Sequence, residues 1–568
     1  MSTWRRAFAA VSRLRGASSR PWRVAPRPSS AAGFAFASPP LGRRALGASA
    51  ALPDTIFALS SAPGRAGVAV IRVSGPAARD VLRLLPPSRR ASPPKHREAV
   101  FTRFARPDTG EVLDRGVFLW FDAPRSLTGE DVAELHVHGS LAVVRGVLDA
   151  IAALRPPPSP TTTPSRDDDD ALSSSTSVFR AAEPGEFVRR AFRNDKLDLT
   201  QAEGLADLLD AETAAQRRQA LAQSGGVLRA ALERWRSRLV RATARVEATL
   251  DFGDAELDVV AADAFERTVV PEVVALRREI DAVLRAPPRA ELVRSGVRVV
   301  LVGAPNVGKS SLLNVLAGRP AAIVSDVPGT TRDAVEVAME LGGVKIIVTD
   351  TAGARETDDP VEREGIRRSE SHAGAAHVTV AVADAAEIVR GARGGSFGLP
   401  AFAAAPDVLV VNKSDLADPE ETRQLVNDAL EALSDAPAPP PTVVGVSCVT
   451  SEGVDALVAA LTAKAEALTS GGTGDDAHAL AVTRARHRGR LEACVAHLRA
   501  FERIAAAVHG AGGDAQGTGG DAQTGGDAQT ELAAEELRLA ADALGAVTGK
   551  VDVEEILDVV FADFCVGK

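Results

Sequence analysis

The spacing of apolar residues changes along this chain and divides it into regions of different secondary structure. Between residues 200 and 285 the apolar side chains recur three or four positions apart, as Leu205 and Leu209 do and as Val246 and Leu250 do later. That spacing places them on one face of a helix, so it predicts long helices. The same pattern returns after about residue 480, which predicts a second group of helices.

Between the two helical groups, short apolar runs alternate with helical segments. The runs cover residues 297–302, 344–348, 378–382, 408–411 and 443–446. Strands that alternate with helices predict a parallel, doubly wound sheet. Because the flanking helices need each other's apolar faces, we expect this α/β domain to be inserted between two halves of one helical domain.

The region before the helices mixes strands with helices, which predicts an α+β domain. A strand-like stretch at residues 67–73 leads into a turn and then into a helix that carries Val81, Leu82 and Leu84. Two segments lack periodic apolar positions. Residues 156–177, rich in Pro, Ser, Thr and Asp, are predicted to be a disordered insertion, and residues 511–530, with repeated Gly-Gly-Asp-Ala-Gln, a flexible linker.

The first 51 residues differ in composition from the rest, since they contain many arginines and no acidic residue. Trp4, Phe8, Val11 and Leu14 recur among these arginines at helical spacing, which is typical of a mitochondrial transit peptide. A chloroplast transit peptide and a basic arm that binds nucleic acid are the alternatives. The expected organisation is a transit peptide at 1–51, an α+β domain at 52–198, helical halves at 199–295 and 471–568, and an α/β domain at 296–470.

Composition narrows the class of protein. With 568 residues, 45% of them hydrophobic and 25% charged, the chain is typical of a multidomain globular protein. No apolar run reaches the length of about 20 residues that spans a membrane, so no membrane association is expected. Three widely spaced cysteines predict neither a disulfide framework nor a metal site. A net charge of −9 implies that RNA would be bound through a local basic patch or a partner's surface.

A phosphate-binding loop is the most specific motif in the sequence. Gly303-Ala-Pro-Asn-Val-Gly-Lys-Ser310 follows a predicted strand and opens a predicted helix, which is the context that the motif requires. Its glycines let backbone N–H groups surround phosphates, Lys309 offers a positive charge to the β- and γ-phosphate oxygens, and Ser310 can ligate Mg²⁺. The sequence therefore predicts a nucleotide site.

Further motifs follow in the order expected of a GTPase. Asp350 ends a predicted strand, where its carboxylate can organise Mg²⁺, and Thr331 can close on the ion, as its second protein ligand beside Ser310, when the γ-phosphate is present. Asp415 can accept two hydrogen bonds from guanine that adenine does not offer, which selects GTP over ATP. The residues predicted to contact GTP are Asn306, Val307, Gly308, Lys309, Ser310, Ser311, Ser325, Thr330, Thr331, Asp350, Thr351, Ala352, Gly353, Asn412, Lys413, Asp415, Ser447 and Cys448.

The sequences that flank the nucleotide motifs resemble the MnmE (TrmE) family of tRNA-modifying GTPases. The chain ends in Phe564-Cys-Val-Gly-Lys568, which is similar to the family's Phe-Cys-Ile-Gly-Lys. The other similar segments are Ala62-Pro-Gly-Arg65, Val70-Ile-Arg-Val-Ser-Gly75, Leu127-Thr-Gly-Glu-Asp-Val-Ala-Glu-Leu135 with His138-Gly139, Pro184-Gly-Glu-Phe187, Ala191-Phe-Arg-Asn-Asp-Lys-Leu-Asp-Leu199 and Gln201-Ala-Glu203. Together they extend the resemblance from Asp54 to Lys568, apart from the two low-complexity segments.

The resemblance implies roles for further residues. Ala354 stands where many GTPases have a water-orienting glutamine, so another group must place the water. The family match assigns that task to Glu362, with Lys309 as a second catalytic residue, and it assigns a tetrahydrofolate one-carbon donor to Arg72, Glu134, Lys196 and Lys568. It also implies K⁺ bound by Asn306, Ser325, Val327 and Thr330. Alternative roles are left open for three residues. Asn306 could serve only as a turn former and Glu362 could be a charge on a solvated helix face. Cys565 could be a nucleophile or a packing residue.

The resemblance further implies a function. GTP hydrolysis would accompany the attachment of a folate-derived carbon to the wobble uridine of tRNA, giving a 5-aminomethyl or 5-carboxymethylaminomethyl type of group. It implies an MnmG-type flavoprotein as partner and a homodimer formed through the folate-binding domain. An organellar ribosome-assembly GTPase and a GTP-regulated scaffold without modification chemistry are the alternative functions.

Overall fold

The computed structural model describes most of the chain after Pro53. The described residues are 54–154, 179–251, 265–286, 288–304, 306–323, 336–350, 376–385, 406–416, 420, 424, 441–470, 482–513, 521–550, 564 and 567. The expected transit peptide at 1–51 and the expected insertion at 156–177 lie outside them. Within the described part of the chain, every helix is too short or too polar to cross a membrane.

The first domain is a six-stranded sheet covered by helices on both faces. Its strands are β1 (Thr55–Leu59), β2 (Ala66–Ser74), β3 (Val100–Ala105), β4 (Val112–Phe121), β5 (Val132–Gly139) and β6 (Phe179–Ala181), in the order β3-β4-β5-β2-β1-β6. Helix α1 (Leu141–Ala152) and a 3-10 helix, Ala78–Leu84, pack on one face. Ile56 and Ala58 of β1 point to the opposite face, where they pack with Phe187 of α2 (Glu186–Arg193). The α+β prediction is confirmed, and the predicted helix with Val81 to Leu84 is of the 3-10 type.

Two sets of helices, far apart in sequence, share one hydrophobic core. The first set is α3 (Leu199–Leu209), α4 (Ala214–Ser224), α5 (Val227–Asp251), α6 (Val270–Arg285) and α7 (Arg289–Ser295). The second set is α10 (Ala485–Gly513) and α11 (Asp521–Thr548). Trp235 of α5, Phe501 of α10 and Leu544 of α11 are each buried in the same cluster. The helices before and after the α/β domain therefore build one helical domain.

The inserted α/β domain, which we call the G domain, contains the second six-stranded sheet. Its strands are β7 (Val297–Val302), β8 (Glu336–Leu341), β9 (Val344–Asp350), β10 (Val378–Asp384), β11 (Val408–Asn412) and β12 (Thr442–Val446), in the order β12-β11-β10-β7-β9-β8. Helices α8 (Lys309–Ala317) and α9 (Val454–Thr469) contribute apolar residues to its core. The carboxyl ends of the parallel strands β7, β9, β10, β11 and β12 lie along one edge.

The structure differs from the expected parallel sheet at its edge. Strand β8 pairs antiparallel with β9, and Gly342 and Gly343, both with positive φ, form the turn between them. Two glycines between apolar runs are a hairpin signal, because they adopt the left-handed conformations of a two-residue turn without strain. The polar residues of β8 weaken the apolar pattern that would predict a strand, but the glycine pair was an available signal for a hairpin.

The prediction of a flexible linker at 511–530 was wrong for the residues of this segment that the structure describes, because they are helical. Helix α10 continues to Gly513, and α11 begins at Asp521, so it includes the last three residues of the second repeat and all of the third. Ala and Gln favour helices, and each Gly costs only about 1 kcal/mol relative to Ala in a helix. Once the apolar segment of α11 is helical, each added residue gains one backbone hydrogen bond, so the helix extends into the repeats.

A buried carboxylate links the two halves of the helical domain. Glu203 of α3 is 1% exposed, and its Oε2 lies 2.7 Å from His487 Nε2 of α10. Arg486 donates to Glu203 Oε1 at 3.0 Å and to the carbonyl of Ala546 in α11 at 3.1 Å. Burial alone would raise the pKa of Glu203, but the hydrogen bond from His487 and the charges of Arg486 and Arg484 lower it, so the carboxylate is ionised.

Glu203→Ala should destabilise the helical domain strongly, because it leaves His487 buried without its partner and removes the ion pair with Arg486. We expect a loss of about 3–5 kcal/mol, the usual cost of removing one partner of a buried ion pair. Denaturation followed by circular dichroism measures it. Glu535→Ala, in an exposed ion pair with Arg538 on α11, is the matched control and should change little. Equal midpoints for both variants would contradict this account.

Candidate functional site

Glycines shape the phosphate loop between β7 and α8. Gly308 has φ +99°, and a Cβ at this position would lie 2.1 Å from Asn412 Nδ2. A Cβ at Gly303 would lie 2.2 Å from the carbonyl oxygen of Val382 on β10. Only glycine permits both close approaches. The loop is thus pressed against β10 and β11, at the carboxyl edge of the sheet, where open α/β sheets bind ligands.

Asn412 connects the phosphate loop to the base-contacting loop. Its Nδ2 donates to the carbonyl of Val307 at 2.7 Å, and its Oδ1 accepts from Cys448 Sγ at 3.3 Å. Asn412 is 2% exposed. Burial raises the pKa of the Cys448 thiol, and the charge of Asp415 raises it as well, so the thiol stays protonated and keeps its donor. One amide side chain therefore fixes the relative position of two loops predicted to contact GTP.

The residues predicted to meet the phosphates and Mg²⁺ lie together. Lys309 is 6% exposed, and its Nζ donates to the carbonyls of Gly303 and Ala304 at 2.8 Å each. Ser310 Oγ donates to Asp350 Oδ2 at 2.5 Å. A hydroxyl and a carboxylate are hard oxygen ligands of the kind that Mg²⁺ takes beside phosphate oxygens. The Ser310 hydroxyl and the Asp350 carboxylate are therefore chemically suited to this ion.

The guanine end of the site is held by β11 and β12. Lys413 Nζ forms an ion pair with Asp384 Oδ2 at 2.6 Å, and Asp415 is exposed in the turn that follows β11. The buried Ser447 hydroxyl accepts from the backbone N–H of Val449 at 3.3 Å and of Thr450 at 3.1 Å. These hydrogen bonds fix the loop after β12 while they leave the Asp415 carboxylate facing solvent, where it can pair with a base.

A second group of predicted residues meets on the first domain. Arg72 on β2 pairs with Glu134 on β5 in the strand register, and Arg72 Nε donates to Glu134 Oε1 at 2.9 Å. The Arg72 guanidinium also lies 5.6 Å from the ring centroid of Phe187. His136 Nε2 lies 3.5 Å from Glu134 Oε2. Burial alone would raise the pKa of Glu134, but His136 and Arg72 lower it, so the carboxylate is ionised.

The carboxyl-terminal segment approaches this group. Ser60 Oγ donates to the carbonyl of Gly567 at 2.7 Å in a buried hydrogen bond, and a Cβ at Gly567 would lie 2.0 Å from the carbonyl oxygen of Leu59. Leu59 follows Ala58, which faces Arg72 across the β1–β2 pair. Phe564 is 4% exposed and packs in one cluster with Val188 and Ala202. Lys568 and Cys565 themselves lie outside the described residues.

Other predicted residues are less tightly placed. Lys196 Nζ donates to the carbonyl of Pro124 at 2.9 Å, and no hydrogen bond among the described residues joins it to Arg72 or Glu134. Several predicted residues lie outside the described part of the chain, namely Ser325, Val327, Thr330, Thr331, Thr351, Ala352, Gly353 and Glu362.

Sequence reasoning missed two residues of these sites. His136 is two positions from Glu134 on the same strand, and that spacing places both side chains on one face. Asp384 ends β10 and faces Asn412 in the register, so its position at the carboxyl edge was the available signal. His138, two positions further along β5, does not share this contact with Glu134, since its Nδ1 lies 2.9 Å from Asp114 Oδ1.

Comparison with known proteins identifies the family. The family described as GTP-binding protein TrmE N-terminus matches residues 55–196, and the one described as MnmE helical domain matches residues 199–565. The chain belongs to the MnmE (TrmE) family of tRNA modification GTPases. The MnmE of Parvibaculum lavamentivorans, named a tRNA modification GTPase, is 45% identical over 517 residues, covering 91% of this chain and 100% of that one.

Two further proteins are similar to this chain. A Danio rerio protein, the mitochondrial 5-taurinomethyluridine-[tRNA] synthase subunit GTPB3, is 39% identical over 529 residues, which cover 91% of this chain and 93% of that one. The solved G domain of the T. maritima FeoB iron transporter is 26% identical and covers 30% of this chain and 98% of that one, with a TM-score of 0.21. The resemblance to the MnmE family that the sequence motifs indicated is confirmed. The protein is a GTPase.

Asn412→Ala should weaken nucleotide binding, because it removes the hydrogen bonds to Val307 and Cys448. We expect GDP affinity to fall by about tenfold or more, which corresponds to one or two lost buried hydrogen bonds. Titration with a fluorescent GDP analogue measures this affinity. Cys448→Ser retains a donor to Asn412 and is the matched control. A similar loss in both variants would show that Asn412 does not act by bridging the loops.

Proposed function

We propose that this MnmE-family GTPase modifies the wobble uridine of tRNA with a carbon from a tetrahydrofolate donor, and that GTP hydrolysis drives the conformational cycle. The observation that carries the proposal is the docking of Gly567 on Ser60, beside the Arg72–Glu134 pair. Gly567 belongs to the family's carboxyl-terminal motif, so its contact with Ser60 supports the assignment of folate to the neighbouring residues. Both relatives described above are named for tRNA modification.

The chemistry of these residues suits a folate. A partly buried, ionised carboxylate such as Glu134 can accept hydrogen bonds from a pterin amine and ring N–H group, and Arg72 can pair with an anionic group of the ligand. Phe187 holds the Arg72 guanidinium over its ring. We propose that Lys196 and Lys568 complete the site. The folate, when bound, supplies the one-carbon unit.

The proposal includes the cations of the GTPase site. Mg²⁺ would be held by Ser310 and Thr331, and K⁺ by Asn306 together with Ser325, Val327 and Thr330. Asn306 has φ +62°, a left-handed conformation that asparagine tolerates well, so a turn-forming role alone would also explain this residue. Glu362 is proposed to orient the attacking water.

The partners and location are also part of the proposal. An MnmG-type flavoprotein and a second copy of this chain would join in the reaction, and the protein would act in the mitochondrion. The arginine-rich first 51 residues and the mitochondrial Danio rerio relative support that location. A chloroplast location is the alternative.

Folate binding is tested by calorimetry with 5-formyltetrahydrofolate. We expect the protein to bind it, and Arg72→Ala and Glu134→Ala each to weaken binding by about tenfold or more, because each removes a charge-assisted contact. Arg103→Ala, at an exposed position on β3, should bind like the unchanged protein. Absence of binding by the unchanged protein would remove the basis for modification chemistry and favour the scaffold or ribosome-assembly alternatives.

The K⁺ role is tested by comparing GTP turnover in K⁺ and Na⁺. We expect turnover in K⁺ to exceed that in Na⁺ by about tenfold, since a cation at the phosphates stabilises developing charge. Asn306→Gly retains the left-handed turn but removes the side-chain oxygen, so it should erase the difference between the salts. If Asn306→Gly keeps the full K⁺ effect, then the residue serves only the turn.

A further inference from the structure

The G domain contacts the helical domain through a polar joint. We define the domain joint as residues 212–219 of the α4 region, Ala290 to Gly296 around α7, and Gly343 to Lys345 at the start of β9. Ala215 N–H donates to the carbonyl of Gly343 at 3.3 Å, and Lys345 forms an ion pair with Glu212. Lys345 is 21% and Glu212 35% exposed at their side chains, so the pair is largely shielded from water.

Gln216 holds the other half of the domain joint. Its side chain caps the start of α4 by accepting from the backbone N–H of Thr213 at 3.1 Å, and it donates to the carbonyl of Arg294 at 3.0 Å. Gln219, one turn later, donates to the carbonyl of Ala290 at 2.9 Å. Helix α4 is therefore attached both to α7, which leads into β7, and to the first residues of β9.

Strands β7 and β9, which begin at the domain joint, end at the phosphate loop and at Asp350 of the predicted nucleotide site. Strands β7 and β9 are parallel neighbours, with Val297 facing Ile346 and Leu301 facing Asp350. Their amino ends lie at α4 and their carboxyl ends carry the phosphate loop and Asp350. Gly296 has φ +89°, and a Cβ there would lie 3.2 Å from Lys345 Cγ, so the two amino ends are in direct contact.

The character of the domain joint favours rearrangement over rigid docking. The helical domain and the G domain have separate hydrophobic cores. Between them lies a crevice of about 230 Å³ lined by polar side chains that include Asp207, Gln216, Arg294 and Lys345. Polar interfaces within a chain permit relative domain motion more readily than large apolar ones. Directional hydrogen bonds also make the orientation specific.

We propose that Glu212 and Lys345 couple the nucleotide site to the helical domain, by transmitting the state of the phosphate site along β9 to helix α4. A shift of Asp350 between nucleotide states moves β9, since the strand is continuous from Lys345 to Asp350. The ion pair and the Ala215–Gly343 hydrogen bond convert that shift into a change in α4. Because α4 packs on α3, the change reaches the helix that carries Glu203.

Hydrogen exchange of the full-length protein tests this proposal, because the Ala215 amide donates across the domain joint. We expect peptides that contain Ala215 to exchange at rates that differ by about threefold or more between GDP and a non-hydrolysable GTP analogue. Glu212→Lys and Lys345→Glu should each abolish the difference while nucleotide affinity stays within about twofold. The exchanged pair, Glu212→Lys with Lys345→Glu, should restore it, because the exchange forms the ion pair again with its charges reversed.

Glu535→Lys is the matched control, because it makes the same charge change at an exposed ion pair of α11. It should retain the nucleotide dependence of exchange. Equal exchange of the Ala215 peptides in both nucleotides, or a nucleotide dependence that survives both single reversals, would overturn the proposal. The measurement needs neither folate nor tRNA, so its outcome is distinct from that of the proposed modification chemistry. Glu212→Gln gives the same test should either reversal fail to fold.

Discussion

The buried Glu203 carboxylate is the interaction on which the arrangement of the helical domain depends. It joins α3 to α10 through His487 and to the last carbonyls of α11 through Arg486. An uncompensated charge in such a place would be expensive, so the three helices are held in one relative position. The G domain is inserted in the chain between α7 and α10, so it is attached to helices whose packing depends on this carboxylate.

The sites are assembled from elements far apart in sequence. The nucleotide site draws on β7, β9, β10, β11 and β12, and Asn412 unites two of its loops. The candidate folate site draws on β2, β5 and the segment around Gly567. Neither site could be formed by one local segment, which explains why the family resemblance extends across almost the whole chain.

Much of this organisation could be predicted from the sequence, since its patterns are local. The strand at 297–302 was predicted with its observed bounds, because a run of Val and Leu interrupted only by Arg298 is a clear signal for a buried parallel strand. The phosphate loop was equally clear. Strand β8 was missed because only Met339 and Leu341 of its six residues are buried, and side chains at a sheet edge need not be apolar.

Pairings between distant residues could not be derived in the same way. The resemblance placed Arg72 and Glu134 in one site, but only the strand register brings His136 to the same carboxylate. The contact of Lys413 with Asp384 and that of Lys345 with Glu212 depend on how strands and domains are stacked. The extension of α11 into the last repeats likewise depends on the buried apolar part of that helix, whereas composition alone predicted a linker.

The hydrogen bond between Ser60 and Gly567 also has a consequence for biosynthesis. These residues are 507 positions apart, so Ser60 leaves the ribosome long before its acceptor exists. The first domain can form its sheet during translation, but its contact with Gly567 is made only when nearly all of the polypeptide has been synthesised. The G domain lies between Ser60 and Gly567 in the sequence, so this hydrogen bond forms only after the whole G domain has been synthesised.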